Sequence, residues 1–435
     1  MSSAFLYTCL RAYYLSITHD EAVTYLLFAS SPYIDIIFNL VPAGPYRANN
    51  HLLNTILSAR GYALGLGFFM LGLYGLIKSS EITHEIHTPR FSFIMFTLAT
   101  MSTLTFLNVY LTLFCMLALM ELYKCNHNIK QFLTNIIKSV SYTLPLLIII
   151  YIVPIFILRQ GQLYFGGTHG FWHDTVRSLI HVSFYGQPYL TPFAMMISEI
   201  FVGVVLLSSI IFIFTNYKPR FDNTNKVRFV PPGRVVTLLF VFLVMSAFLT
   251  ILQHHLLGTR FLIERTAIFF IPLFLLLACV LFKNIAVQRN RLSSTVMFLW
   301  YAWIIIISGH YMSSLNIHAY LDWQYDSDTK HAINDLHEWA IENDLDKTPR
   351  QVGINWIFEP SINYYIKKNK LDWLQFANRN GPDGEFDYYY VVGESHEILS
   401  GHTFITIHDL VIKHNLIVIK EYPISNTYLA VSATR

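Results

Sequence analysis

Long apolar runs separated by short polar stretches organise the first 310 residues. A short run over residues 4–17 comes first. Then follow Gly61–Ile77, Phe91–Leu122, Val140–Leu158, Phe193–Asn216, Val235–Leu252, Thr266–Phe282 and Thr295–His310. Runs this long and this poor in charge match the roughly 20 residues that cross a bilayer core. Phe91–Leu122 is too long for one upright helix at about 1.5 Å per residue. It also carries a polar break, "MSTLTFLN". The pattern predicts two short helices meeting at the far face, and nine crossings in all.

Charge tests that count independently. Lys78, Arg90, Lys124, Lys130, Lys138, Lys218, Arg220, Lys226, Arg228, Arg234, Lys283, Arg289 and Arg291 fall in the loops of one side only if Phe91–Leu122 crosses twice. The positive-inside rule makes that side cytoplasmic. Residues 18–60, 159–192, 253–265 and the tail after His310 then share the opposite side.

The tail has a different rhythm. "HAINDLHEWAIEND" places apolar residues at helical spacing. "QVGINW" and "DYYYVVG" read as strands, and "LIVIKEYPISNTYLAVSA" reads as two strands about a turn. The expected architecture is a polytopic α-helical membrane domain over residues 1–310. A small extracytoplasmic α/β domain over residues 311–435 completes it. No internal repeat, phosphate-binding glycine loop or nucleophile elbow stands out.

Composition agrees with a membrane protein. Of 435 residues, 54% are hydrophobic and 13% charged, against about 25% charged in soluble domains. Mean hydropathy is +0.44. A net charge of +3 is too small to suggest a nucleic-acid partner. The four cysteines, Cys9, Cys115, Cys125 and Cys279, show no zinc-site or disulfide spacing. No basic region followed by a cleavage site marks a removable signal peptide. The first run is short for a span and contains Arg11, so either the true start is missing or Arg11 snorkels to the cytoplasmic face.

The topology gathers polar groups at one water–lipid boundary. "YLSITHDEAVTYL" supplies Asp20 and Glu21, and "RANNHLL" supplies Arg47, Asn49, Asn50 and His51. "RQGQLYFGGTHGFWHDTVR" adds His169, His173 and Asp174, and "QHHLLGTRFLIER" adds Arg260 and Arg265. Each has a structural reading beside the functional one. The acidic pair is either a helix start or a carboxylate base with a helper. "RANNHLL" is either a capped loop or a polar substrate contact. "HGFWHD" is either a loop with an interfacial Trp172 or a loose ligand set for a divalent cation. Arg260 and Arg265 are either membrane-end anchors or phosphate partners, since they sit on the arginine-poor side. Arg60, before "GYALGLGFFM", is costly inside a span unless paired or interfacial. Glu199, early in its own span, is a candidate partner for it.

These stretches resemble the GT-C membrane glycosyltransferases. The nearest in style are protein O-mannosyltransferases and bacterial lipid A aminoarabinose transferases. The resemblance rests on "THDEAVTY", "NNHLLN", "ARGY" and "ERTAIFFIPLF", taken in order and sidedness. It implies sugar transfer from a polyprenyl-phosphate donor to an acceptor hydroxyl, with Asp20 as general base and inversion at the anomeric carbon. Glu21 would support that base. Arg47, Asn50, His51, Arg60, His173, Asp174, Arg260 and Arg265 would contact substrate. The lipid bilayer itself is a partner. The implied location is the inner (plasma) membrane. No metal ligand is assigned, and a divalent cation is only an open option. One difference is clear: only Ile56 to Ser58 separate "NNHLLNT" from "ARGY". In this class a further span intervenes, so about two spans are lacking. Two rival readings follow: a non-catalytic relative that binds lipid or partners, and a transporter. The second would show repeated halves and midplane ionisable groups.

Overall fold

A computed structural model gives the three-dimensional structure. It describes residues 14–18, 22, 25–26, 62–82, 90–124, 129–148, 166–184, 192–216, 219–221, 227–229, 233–287, 291–319, 321–394 and 404–433. Two compact units divide the chain: Arg60–Ser314, and Leu315–Arg435 together with Met1–Ala59.

The first unit is helical. Its principal helices are α1 (Tyr62–Ile82), α2 (Arg90–Ser102), α3 (Leu107–Lys124), α4 (Ile129–Val140), α5 (Arg177–Ser183), α6 (Pro192–Thr215), α7 (Arg234–Leu257), α8 (Phe270–Ala286) and α9 (Arg291–Ser313). A small hairpin pairs β1 (Pro219–Phe221) with β2 (Val227–Phe229). Among the described residues, five helices are long and apolar enough to cross a membrane. They are α1, α3 with its leading 3₁₀ turn, α6, α7 and α9. This is compatible with a membrane protein. Of the nine crossings expected, those over 4–17 and 140–158 lie largely outside the described residues. Helix α8 is apolar but only 17 residues long, and Val140 ends α4 rather than opening a span. After a turn at 141–143 a helix resumes over 144–148, and the rest of that expected span lies outside the described residues.

The predicted break is present. Helix α2 stops at Ser102, and a 3₁₀ turn, Leu104–Phe106, precedes α3. Thr103, extended at φ −162°, separates the two. The chain doubles back here. Phe93 and Tyr110 would lie about 25 Å apart along a straight helix, yet their rings meet at 5.4 Å. Glycines let this hairpin close on α1. A methyl group at Gly72 would sit 2.2 Å from the Phe96 ring, and one at Gly65 2.8 Å from the Phe106 ring. Ser92 donates to the Gly72 carbonyl at 2.8 Å. Small residues at helix contacts permit this approach where lipid supplies no hydrophobic push. Phe69, Phe96, Phe106, Phe242 and Phe269 fill the resulting core.

The second unit is a three-layer α/β domain. Its sheet order is β3-β4-β6-β5. Strand β3 (Val352–Ile354) runs parallel to β4 (Tyr388–Val392), joined through helix α11 (Glu359–Asn369). Strands β5 (Leu416–Tyr422) and β6 (Thr427–Ser432) form an antiparallel hairpin whose β6 pairs with β4. Alternation along β4 feeds two layers. Tyr388, Tyr390 and Val392 pack with α10 (Thr329–Glu342) and α11. Tyr389 and Val391 pack with α12 (Ile407–His414).

The end of the first expected span belongs to this unit. Leu15 is buried, and Ile17 packs on the domain core. Ser16 Oγ donates to the Ser327 carbonyl at 2.7 Å and accepts from the Lys330 amide at 3.1 Å. Helix α10 starts there without a side-chain cap of its own, so Ser16 satisfies one of its open donors. The Ile17 amide donates to the Tyr365 hydroxyl at 2.8 Å. Burial pushes that hydroxyl up to about 12, partly offset by its bonds with Ile17 and Ser16. It stays neutral and able to accept.

Candidate functional site

Two loops of the helical unit come together. The loop before α5 and the loop after α7 are joined by two backbone bonds. The Gly167 amide donates to the Phe261 carbonyl at 3.0 Å, and the Phe261 amide returns the bond at 2.9 Å. Thr175 Oγ1 donates to the Leu262 carbonyl at 2.6 Å, and the Glu264 amide donates to Ser178 Oγ at 3.1 Å.

The glycines of "FGGTHG" make the contact sterically possible. A Cβ at Gly166 would lie 2.5 Å from the Cβ of Arg260. One at Gly167 would lie 2.2 Å from the Cβ of Asp174. The Arg260 backbone therefore sits directly against the histidine-bearing loop. Helix α7 ends at Gly258, with φ of +65°, and the chain turns at once toward that loop. His254 stacks on Phe261 at 4.1 Å. Glu264 adopts a positive φ of 46°, a region that a non-glycine residue seldom occupies. It immediately precedes Arg265, which is exposed in the 3₁₀ turn Glu264–Ala267.

Asp174 is the buried centre of its loop. Its Oδ2 accepts from the His169 amide at 2.7 Å and the Gly170 amide at 3.0 Å. Its Oδ1 lies 2.9 Å from His173 Nδ1 and 3.6 Å from His169 Nδ1. Burial alone would raise this carboxyl, but the His173 bond and the two amide bonds outweigh it. The net shift is downward, so the carboxylate is ionised at neutral pH. A π-helical turn, Phe171–Val176, carries His173 and Asp174, a distortion frequent at functional sites. Both imidazoles are exposed, and with Asp174 they form a group able to hold a metal ion.

Glu199 on α6 accepts from Arg177 Nε at 2.7 Å and from Trp172 Nε1 at 3.2 Å. Glu199 was a candidate partner of Arg60 or an interfacial group, and Arg60 lies outside the described residues. Arg177 was not singled out by sequence. The rule that flags Arg260 and Arg265 on the arginine-poor side would have flagged it too.

The structure thus brings His173, Asp174, Arg260 and Arg265 onto one loop pair. Asp20, Glu21, Arg47, Asn50 and His51 lie outside the described residues. Thr18 and Ala22, which flank the acidic pair, are buried, and the Ala22 amide donates to the Thr18 carbonyl at 2.9 Å. No family model, curated protein or solved structure matches the chain.

Proposed function

We propose that the protein is an integral-membrane glycosyltransferase of the GT-C kind. It moves a sugar from a polyprenyl-phosphate donor to an acceptor hydroxyl on the extracytoplasmic face of the plasma membrane. The observation that carries this reading is the loop pair, whose α7 side bears the exposed Arg260 and Arg265 just after a long apolar helix. A lipid-borne phosphate needs that combination. Its chain partitions into the bilayer, and its departing oxygens need fixed cationic donors. Phosphate is a weak base and leaves with little protonation. The acceptor hydroxyl needs a base within hydrogen-bond reach, and Asp20 takes that role, with Glu21 orienting it. Charge asymmetry across the apolar runs motivates the sidedness.

Membranes containing the full chain, given a radiolabelled polyprenyl-phosphate sugar, test the reading. Asp20→Asn keeps the shape and removes the base, so transfer should fall by roughly 10²–10⁴-fold while donor binding persists. Arg265→Ala should weaken donor binding more than Arg265→Lys. Transfer by Asp20→Asn at the native rate would remove Asp20 from the chemistry. Donor binding without transfer by the native chain would favour the non-catalytic relative. A cysteine map placing residue 380 on the same side as Lys226 would overturn the sidedness.

A further inference from the structure

We infer that His169, His173 and Asp174 form a binding site for one divalent cation of the zinc class. The inference stands apart from the glycosyl-transfer reading. It rests on the spacing, the pre-orientation and the donor set of the three side chains.

Spacing comes first. The three candidate ligand atoms lie within 4.8 Å of one another. His173 Nδ1 is 2.9 Å and His169 Nδ1 is 3.6 Å from the same Asp174 oxygen. In a tetrahedral zinc centre with bonds near 2.0–2.1 Å, adjacent ligand atoms sit about 3.3 Å apart. The two observed distances bracket that value, so small ring rotations would complete the set.

Orientation comes second. The other Asp174 oxygen is fixed by the His169 and Gly170 amides. Those bonds aim the free edge of the carboxylate at the two rings, as partners outside a metal site commonly do for its ligands. Gly167 packs so closely on Asp174 that a methyl group would collide with it. The carboxylate side chain is 6% exposed while the rings are 76% and 61% exposed. Protein therefore closes one side of the site, and water reaches the other. That leaves an entry path and a fourth position for a water molecule.

The donor set selects the ion. Two imidazoles and one carboxylate suit zinc. Magnesium and calcium prefer oxygen ligands in larger numbers. In the ion-free state His173 Nδ1 lies 2.9 Å from Asp174 Oδ1. On binding, a neutral ring carries its proton on Nε2, and the Nδ1 lone pair turns to the metal. No co-reactant is needed. The ion would add positive charge to the loop against which Arg260 packs.

The bland alternative is that Asp174 only caps its own turn and the histidines are solvated bystanders. The two readings differ in measurable ways. Tag-free, full-length protein in detergent is stripped with EDTA and titrated with zinc chloride against a chromogenic chelator. The native chain should bind one equivalent in the low micromolar range or tighter and gain in thermal midpoint. His169→Gln and His173→Gln should each weaken binding by at least ~10-fold, and the double variant should abolish both uptake and the thermal gain. Both rings are exposed, so these variants keep the fold. Asp174→Asn, which retains an oxygen for the two amides, should also lose zinc. Millimolar magnesium should not compete. Absence of zinc uptake by the native chain, or equal uptake by the double variant, would overturn the site. Sugar transfer is a separate readout, so either idea can fail alone.

Discussion

Strand β4 and helix α6 are both almost wholly apolar, yet one is sealed and the other bare. Every residue of β4, Tyr388 to Val392, is at most 1% exposed. Helix α6 leaves Phe214 at 77% and Phe193 at 64%. A five-residue run can be covered on both faces by helices of its own domain. A 24-residue apolar run left this exposed is long enough for a bilayer core to cover it. Polar groups show the converse. In the helical unit, Asn108 is buried and donates to the Ser246 carbonyl at 3.0 Å and Thr250 Oγ1 at 2.7 Å. Asn108, the last residue of "MSTLTFLN", thus clasps α3 to α7.

The widest gap between the two regions should appear on truncating one phenylalanine in each. Phe358, fully buried in the α/β domain, should lose about 3–5 kcal/mol on change to alanine. Phe214→Ala should stay within about 0.5 kcal/mol. Thermal unfolding of full-length protein in detergent measures both, and equal losses would break the contrast. Next come the buried hydrogen bonds. Ser361 Oγ donates to Asp326 Oδ1 at 2.6 Å. Ser361→Ala should cost about 1–3 kcal/mol, because a buried acceptor loses a donor. Asn108→Ala should cost about 0.6 kcal/mol, reaching ~1.7 at most, because partners remain available within a membrane. A larger loss at Asn108 than at Ser361 would reverse the ranking.

Within the helical unit, Gly72→Leu should cost about 1–3 kcal/mol by forcing α1 and α2 apart. Gly67→Leu should be near neutral, since a methyl group there meets nothing within 4 Å. Matched thermal midpoints for the two variants would remove the close-packing account. The smallest effect concerns pH. Bonds from the Thr406 amide and hydroxyl hold the Asp409 carboxyl below its ordinary range. A depressed folded value stabilises above the unfolded value and is lost as pH falls through the folded one. Native protein should therefore exceed Asp409→Asn in thermal midpoint at neutral pH. The small difference should vanish in acid, and a difference growing toward low pH would contradict the cap.

Particular residues show why some of this was readable. Helix–strand periods in "HAINDLHEWAIEND", "QVGINW" and "DYYYVVG" mark α10, β3 and β4 because burial in that domain follows local alternation. Thr103 was legible as a break because polar residues interrupted an overlong run. Helix α4 was not, since its two lysines, Lys130 and Lys138, read as loop charge rather than as one face of an amphipathic helix. The joining of the loops at Gly167 and Phe261 was not legible, because two backbone bonds between distant loops leave no local pattern. Nor was the coupling of Asp174 to two amides and two rings, because a π-helical turn has no period to detect. Ser16 as the cap of α10 was beyond reach, since cap and helix are 314 residues apart.

That last distance carries a consequence for biosynthesis. Ile17 and Tyr365 are 348 residues apart. At about 5–20 residues per second, a ribosome needs roughly 17–70 s to make the stretch between them. During that interval the early segment has no docking site, and Ser16 waits for the α10 amide that it will accept from. Chaperones and proteases thus have a window in which newly made chains differ from finished ones. Closure of this clasp therefore waits until synthesis has passed Tyr365.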